Sequence, residues 1–390
     1  MSFKTLILVG VAVATLSGAA ARSADLIVSG NDGKFVGVHG APTDPRPAPN
    51  DSLAVIDASV SPPVLKAVIQ GLDHTIQGPP QSVAITPDGR LAFLGAPSSY
   101  DFAAKREKLE TYLQVIDLEH GGAVSKVELG AHPNGLSVSP DGKLLLAACT
   151  DGTVKVLAIA GGEARLVDNL KVGDRRLASV VFTHDGAAAL VSMRDEGGLS
   201  VLSISGGKVT LDDERVATGL GPFDMEISSD GRWAVVGNAG LSTLIGVRGR
   251  LAGDADTVTL VDVSHKPFRA VQHITVPATP EGVAISPDGR WIAVNALDGS
   301  SLPPANPGHK AVGQLVLFEI RNGVAVAAGS LPTGAIAQGV TFAKDSRTLF
   351  VQLNVEKAIA VFRIDGRRLK DTGQRIALAA SPVSIASTPR

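Results

Sequence analysis

A short apolar run that ends in an aspartate-centred turn occurs six times along this chain of 390 residues. The turn aspartates are separated by 53, 44, 45, 58 and 57 residues, at Asp88, Asp141, Asp185, Asp230, Asp288 and Asp345. A period of this length indicates a solenoid or a closed ring, because one unit cannot bury its own hydrophobic face. The repeat outweighs the chain length, which by itself favours two or three domains.

Each copy predicts four antiparallel strands, which we call A to D. In the first copy, Val83–Ile85 is strand A, a tight turn follows, and Arg90–Leu94 is strand B. Proline presets φ in such a turn, and glycine takes the positive φ. Strand C at Tyr112–Leu118 and strand D at Val124–Leu129 complete the unit. Four such strands make one blade of a β-propeller.

The two ends of the repeat region are complementary. Strands of types B, C and D at Leu26–Ser29, Ser52–Ala58 and Val64–Gln70 precede the first full copy, and Val383–Ala386 adds a lone strand A. Six complete units and one shared unit predict an all-β protein, a single seven-bladed propeller over residues 25–390, in which a C-terminal strand closes the ring. An open β-solenoid is the alternative, but it would not need complementary ends.

The repeat resembles the YVTN-type seven-bladed propellers. Their unit reads approximately P-x-x-V-A-x-S-P-D-G-x-x-x-Y-V-x-N, followed by V-x-V-I-D, and Pro280–Asn295, Pro222–Asn238 and Leu113–Leu118 (LQVIDL) match it. The resemblance covers nearly all of the chain after residue 24. It implies the fold but not one function, since that superfamily includes lactonases, heavy chains of quinoprotein dehydrogenases, haem d1 domains of nitrite reductases and binding proteins.

Residues 1–24 predict a secretory signal peptide. Lys4 precedes an apolar run at Thr5–Leu16, and small residues follow, so that cleavage is expected between residues 21 and 24. An uncleaved membrane anchor is the alternative. No other stretch is long and apolar enough to span a membrane. We therefore expect a mature protein without a membrane span, located in the periplasm.

The composition and the missing motifs exclude several classes of function. A formal net charge of −2 argues against nucleic-acid binding, which needs a basic surplus. The single cysteine, Cys149, allows no intrachain disulfide and is expected to be a buried small hydrophobe. The sequence has no serine-hydrolase elbow, no phosphate loop, no helical histidine pair and no haem-attachment motif. These observations predict no cofactor and no metal.

Four long insertions lie between strands B and C and must emerge at one end of the ring. They are Gly30–Asp51, Gly95–Thr111, Asn238–Asp256 and Asn295–Gly313. Loops on a rigid scaffold often carry function, so this end is the predicted functional face. The candidate ligand-binding residues are Gln81, Asn134, Phe223, Asp224, Glu281 and Gln338 at the axial mouth, and His39, Arg46, Tyr100, Arg248 and His309 on the loops.

Three functions remain open from the sequence. The first is a monomeric periplasmic binding or interaction protein, with a small polar molecule or a periplasmic protein on the long-loop face. The second is a lactonase-like hydrolase, in which Glu281 or His132 activates water and Arg176 steadies the carbonyl oxygen or an acidic substrate. The third, implied by the resemblance alone, is an accessory subunit of a periplasmic quinoprotein dehydrogenase.

Overall fold

The computed structural model describes residues 25–35, 37–38, 41–42, 51–240 and 255–389, and the predicted signal peptide lies outside them. Its regular elements are all β-strands. In chain order they are β1 (Leu26–Asp32), β2 (Gly37–Val38), β3 (Ala41–Pro42), β4 (Ser52–Asp57), β5 (Val64–Gln70), β6 (Val83–Ile85), β7 (Leu91–Leu94), β8 (Ser98–Asp101), β9 (Arg106–Leu109), β10 (Tyr112–Asp117), β11 (Gly122–Glu128), β12 (Pro133–Val138), β13 (Leu144–Cys149), β14 (Thr153–Ala160), β15 (Glu163–Lys171), β16 (Val180–Phe182), β17 (Ala188–Ser192), β18 (Leu199–Ser205), β19 (Lys208–Val216), β20 (Pro222–Ile227), β21 (Trp233–Asn238), β22 (Asp256–Asp262), β23 (Arg269–Val276), β24 (Pro280–Ile285), β25 (Trp291–Ala296), β26 (Gln314–Arg321), β27 (Val324–Pro332), β28 (Ala337–Phe342), β29 (Thr348–Leu353), β30 (Ala358–Asp365), β31 (Arg368–Ala377) and β32 (Ser381–Ser387).

Twenty-eight of these strands form seven four-stranded antiparallel sheets. Written from strand A to strand D, blades 1 to 7 are β6-β7-β10-β11, β12-β13-β14-β15, β16-β17-β18-β19, β20-β21-β22-β23, β24-β25-β26-β27, β28-β29-β30-β31 and β32-β1-β4-β5. The A strands of neighbouring blades contact one another in a closed circle, which places them around the axis. The predicted seven-bladed propeller is therefore confirmed.

The ring closes as the complementary ends predict. The C-terminal strand β32 pairs antiparallel with β1, and its register places Ile27 opposite Ser387 and Asp32 opposite Ser381. On its other side β1 pairs with β4. Because β32 and β1 share one sheet, β1 is paired on both of its edges.

The turns between strands A and B follow from their side chains. In blade 1 the Thr86 hydroxyl donates to Asp88 at 2.5 Å, and the same carboxylate accepts the backbone N–H of Arg90 at 3.0 Å. Gly89 has a φ of 72°, which costs glycine little because it has no Cβ. The carboxylate thus satisfies the turn's polar groups, and this explains why aspartate recurs in every copy.

The hydrophobic core lies between the blades rather than at one centre. A typical cluster joins Trp233 and Val235 of blade 4 to Ile285 and Ile292 of blade 5. Trp291 is likewise 3% exposed, so both tryptophans pack blades together. Cys149 is fully buried, as expected for a small apolar side chain, and burial raises its pKa to about 12.

Candidate functional site: the axial cavity

The ring has two chemically different ends. We call the end that carries the B–C insertions and the D–A connections the long-loop end, and the end with the A–B turns the turn end. Insertions contact the next blade's D–A connection: the Glu110 carbonyl accepts from His132 Nδ1 at 2.9 Å, and Asp256 accepts the N–H of Thr279 at 2.7 Å. The predicted clustering of these loops at one end is therefore present for the described residues.

The A strands are edge strands, and each needs partners for the N–H groups that face the axis. A side chain from the preceding blade supplies some of them. Ser137 accepts the N–H of Phe182 at 3.3 Å. Blade 4 uses carboxylates instead, since Asp224 accepts from Val283 at 2.8 Å and Glu226 accepts from Ile285 at 3.0 Å. Two acidic groups thus lie side by side on β20, bridging blades 4 and 5.

These two positions are acidic in blade 4 alone among the six copies that have a turn aspartate. Six residues before that aspartate the other copies carry serine or glycine, at Ser82, Gly135, Ser179, Gly282 and Gly339. Four residues before it they carry Ala84, Ser137, Val181, Ala284 and Thr341. Small residues suit this register because the inner strands nearly touch; a Cβ on Gly135 would lie 2.5 Å from the Ala178 carbonyl oxygen. The carboxylates are thus an exception to the repeat, and a register comparison of the copies would have revealed them.

Both carboxyl groups line a cavity on the propeller axis. It contains about 650 Å³ of empty space, part of it open to solvent, and hydroxyls of Ser137 and Thr341 also line it. Gln81 crosses the axis above: its amide donates to the Met225 carbonyl at 2.8 Å and accepts the N–H of Val180 at 3.2 Å. This one side chain joins blade 1 to blades 3 and 4.

The cavity environment shifts both acids toward their neutral forms. Burial raises the pKa of Asp224 to about 7, against the opposing hydrogen bond from Val283, and the charge of Glu281 adds to the rise. Burial raises the pKa of Glu226 to about 8, and the charge of Asp224 adds to it. No Lys, Arg or His lines this cavity. Each carboxyl can therefore change its protonation state near neutral pH.

The cavity continues toward the turn end. A second cavity of about 900 Å³, again partly open to solvent, shares Glu226 with the first and reaches the turn residues Pro140, His184 and Pro287. Lys344 also lines this outer part. The sequence places the mouth at the long-loop end instead. There the side chain of Gln81 bridges the axis, so the space available to a ligand lies below it.

Most of the predicted mouth residues are packed inside the ring. Asn134, Phe223 and Gln338 are at most 3% exposed, whereas Glu281 is half-buried. Phe223 stacks under Arg194, whose guanidinium carbon lies 4.1 Å from the ring centroid. The amide oxygens of Asn134 and Gln338 are buried without a hydrogen-bond partner. Such groups cost roughly 1–3 kcal/mol each unless something donates to them, so this level of the ring is suited to internal water.

The other two catalytic candidates have defined partners. Nδ1 of His132 donates to the Glu110 carbonyl, so Nε2 carries the lone pair; it is buried and has no hydrogen-bond partner. Burial lowers the pKa of His132. Arg176 donates to Asp195 through Nε and Nη2, both at 2.7 Å. This bidentate pair occupies one edge of the guanidinium that the lactonase hypothesis assigned to the substrate.

The predicted loop residues are dispersed. Tyr100 lies between Phe35 and Phe102, with ring centroids 5.9 and 5.0 Å away. His309 contacts the Leu302 carbonyl through Nδ1 at 2.9 Å. His39, Arg46 and Arg248 lie outside the described residues, and their role stays a prediction. The structure therefore brings Gln81, Asp224 and Glu281 together near the axis, with the loop residues elsewhere.

Sequence reasoning missed a buried ion cluster at the junction of blades 7 and 1. Lys34, only 2% exposed, donates to Asp51 and to the His74 carbonyl and lies 3.5 Å from Asp32. Burial raises the pKa of Asp32 to about 6, although Lys34 opposes it, and burial lowers the pKa of His74 to about 3. Nδ1 of His74 donates to the Gly95 carbonyl at 3.0 Å, and Nε2 lies 2.8 Å from the Ser384 hydroxyl. Its groups are paired with one another, and the contact of His74 with Ser384 on β32 joins the cluster to the C-terminal strand. We therefore interpret the cluster as stabilising the ring closure.

Among the described residues no three His, Cys, Asp or Glu side chains are grouped as a metal site requires. Within the same ranges no helix is long and apolar enough to cross a membrane. The axial site is instead marked by a pair of carboxyl groups, those of Asp224 and Glu226, that line a cavity.

Comparisons with known proteins agree with this architecture. The WD domain, G-beta repeat model matches residues 123–156. A search of curated proteins finds no match. A putative 6-phosphogluconolactonase from Bacteroides uniformis superposes with a TM-score of 0.66 at 15% identity, covering 94% of this chain and 99% of that one. The periplasmic gluconolactonase of Pseudomonas aeruginosa gives 0.64 at 19% identity, covering 94% and 99%. Hydrazine synthase of Kuenenia stuttgartiensis gives 0.61 at 17%, covering 80% and 90%.

The chain shares its propeller fold with these structures. This confirms the resemblance to YVTN-type propellers. Sequence identities below one fifth support a shared fold only. The chemistry of this propeller must therefore be inferred from its own residues. In this propeller those residues are the carboxyl groups of β20.

Proposed function

We propose that this propeller is an exported binding protein that takes a small ammonium-bearing molecule into its axial cavity. One observation carries the proposal. Asp224 and Glu226 both face the cavity, at two register positions where the other five copies carry small side chains. Burying two carboxyl groups costs stability unless they are paired, so their presence beside a cavity favours a function over a packing role.

The ligand class follows from the charges. The first cavity has two carboxyl groups and no cationic side chain in its lining, so an ammonium group would supply the missing opposite charge. Gln81, Ser137 and Thr341 add amide and hydroxyl groups for a neutral polar part of the molecule. A small molecule also suits the space, about 650 Å³ including its solvent-open part.

Export is the second component of the proposal. It rests on the apolar run and small residues of segment 1–24. One structural neighbour is named a periplasmic gluconolactonase, which is consistent with a periplasmic location for a chain of this fold. Expression with and without segment 1–24, followed by cell fractionation, tests this component separately from binding.

Binding is tested by titrating the purified protein with small primary amines and with alcohols of matched size, at about pH 6 and about pH 8. We expect amines to bind more tightly at the higher pH, because more of each carboxyl group is ionised. The variants Asp224→Asn and Glu226→Gln should weaken amine binding at least about tenfold, as for loss of a desolvated charge pair. Equal binding of amines and alcohols, or unchanged affinity in both variants, would contradict the proposal.

Lactone hydrolysis is the second candidate, and the two carboxyl groups side by side on β20, both lining the cavity, favour it. Burial raises the pKa of both groups into the neutral range, so near pH 7 one can act as a base while the other holds a proton. Asp224 would take a proton from water as its oxygen attacks the lactone carbonyl. Glu226 would give its proton to the ring oxygen as the acyl bond breaks.

A lactone assay separates this mechanism from the one predicted by sequence. With glucono-δ-lactone as substrate and the spontaneous rate subtracted, Asp224→Asn should remove turnover, whereas His132→Gln and Glu281→Gln should retain it. The rate should rise with pH through about 7, as Asp224 ionises. Turnover that survives in Asp224→Asn, or no turnover above the spontaneous rate, would exclude the mechanism.

A further inference from the structure

Three arginines converge on one glutamate where blades 5 and 6 meet at the turn end. Glu319, 4% exposed, accepts Nε and Nη2 of Arg290 at 3.0 and 2.8 Å. Its other oxygen accepts Nε of Arg321 at 2.7 Å and Nη2 of Arg367 at 2.5 Å. Although burial opposes it, the hydrogen bonds from Arg290 and Arg321 hold the pKa of Glu319 below its usual range. We call these four residues the arginine cluster.

The cluster is positively charged on its outer side. Three guanidinium groups against one carboxylate leave two net positive charges, and the arginine side chains are 49%, 44% and 54% exposed while the glutamate is inside. Glu319 takes up only the inner edge of each arginine. Nη1 of Arg290, Arg321 and Arg367 therefore remains available as a donor toward solvent.

The surroundings add positive charge and apolar surface. On the C–D hairpin of blade 6 the basic residues outnumber the two acids, Asp365 and Asp371; they are Arg363, Arg367, Arg368, Lys370 and Arg375. Asp365 pairs with Lys370 at 2.5 Å and Asp371 pairs with Arg375 at 2.6 Å, whereas Arg367 pairs with Glu319. Beside the cluster, Val324 and Val326 on the outer strand of blade 5 are 49% and 43% exposed. A chain with a net charge of only −2 thus concentrates basic groups on one surface.

We propose that the arginine cluster is a docking surface for an acidic segment of a partner protein. Guanidinium groups form charge-assisted hydrogen bonds with carboxylates, and this surface already binds one carboxylate, that of Glu319, with Arg290 on one oxygen and Arg321 and Arg367 on the other. The adjacent exposed valines would contact the apolar residues that accompany such a segment. The surface lies at the turn end, where the axial cavity also opens.

A protein partner fits the surface better than a lipid bilayer. The positive groups are arginines whose guanidinium planes are fixed by Glu319, whereas membrane-surface binding relies on long, mobile basic side chains and on bulky groups that insert. The exposed apolar residues beside the cluster are valines on a regular strand. Guanidinium groups held in place beside a strand favour a ligand whose carboxylates are spaced along an extended segment.

The test uses a fluorescently labelled peptide with alternating glutamate and valine residues as the probe and measures anisotropy at low and high salt. Arg290→Gln and Arg367→Gln should each weaken binding about threefold, as for one exposed charge pair. Glu319→Gln should strengthen binding by a similar factor, because it adds one net positive charge while the glutamine amide oxygen still accepts a hydrogen bond that holds the arginines in place. Binding by the unchanged protein should fall with salt. Thermal unfolding of each variant shows whether it is folded.

A matched control is available in blade 1. Arg90 occupies the same place after its turn as Arg290 but pairs only with an exposed glutamate, Glu119, at 3.6 Å. Arg90→Gln should leave peptide binding unchanged. The proposal is overturned if Arg367→Gln leaves peptide binding unchanged. It is also overturned if Arg367→Gln and Glu319→Gln both weaken binding, because that pattern indicates lost stability. Binding to vesicles containing phosphatidylglycerol, with none to the peptide, would also overturn it.

Discussion

The strongest physical consequence of the axial site is an inverted pH dependence of stability. In the unfolded chain Asp224 loses its proton near its ordinary value of 3.8, whereas in the folded protein it keeps the proton up to about pH 7. The folded state therefore binds more protons between these values, and stability falls as pH rises through the window. A difference of about three pKa units corresponds to about 4 kcal/mol, at about 1.4 kcal/mol per unit.

The substitution Asp224→Asn removes this titration while keeping an acceptor for the N–H of Val283. About a third of this loss of unfolding free energy occurs below pH 5, where Asp224 of the unfolded chain already ionises. Roughly 2.5 kcal/mol of the loss therefore falls between about pH 5 and pH 8. Relative to the unchanged protein, the variant should thus gain about that much stability across this interval. Urea unfolding followed by tryptophan fluorescence at several pH values measures it, since Trp233 and Trp291 are both buried.

Asp185→Asn is a control of opposite sign. A hydrogen bond from the Thr183 hydroxyl and the N–H of Ala187 lower the pKa of Asp185. Its carboxylate therefore stabilises the folded state at pH values above its unfolded pKa. The variant should be less stable than the unchanged protein at about pH 5 and at about pH 8 alike. Parallel stability curves for Asp224→Asn and the unchanged protein would refute the reasoning about the cavity.

Three further predictions concern the scaffold. Lys34→Met should cost about 3–5 kcal/mol in urea unfolding, because Asp32 and Asp51 would remain buried without their cation; a loss below 1 kcal/mol would contradict this. Gly135→Ala should lower the melting temperature, since its Cβ would meet the Ala178 carbonyl oxygen at 2.5 Å, while Gly122→Ala, with nothing within 4 Å, should not. Deleting residues 381–390 should expose the edge of β1 and produce aggregation in light scattering, and a stable monomer would argue against closure by β32.

The architecture was predictable because the residues that determine each turn and strand lie close together in the sequence and recur in every blade. Each turn needs a carboxylate acceptor and a residue that tolerates positive φ, and Asp88 and Gly89 supply both within two residues. Alternating apolar residues then define the strands, and the number of copies defines the number of blades. Even the closure by β32 follows, since the strand A that is missing before β1 is present at the other end of the repeat region.

The site was predictable only in part. The sequence indicated Gln81, Asp224 and Glu281 as polar residues near the axis, and these do lie there. It also assigned Asn134 and Gln338 to an open mouth, but the narrow spacing of the inner strands buries them. The sequence placed Asp224 among the mouth residues. When the copies are aligned by their turns, the other five carry small residues at its position and at that of Glu226, and this difference marks both acids as exceptions.

Tertiary structure alone decided which distant residues meet. Gln81 reaches Met225, 144 positions along the chain, because the ring brings blades 1 and 4 to the same axis. Arg367 reaches Glu319 across a blade boundary, 48 positions away. A repeat specifies contacts within one blade and between like positions of neighbours. It does not specify the side chains that cross the axis or the seam, and there burial and charge set the chemistry of this propeller.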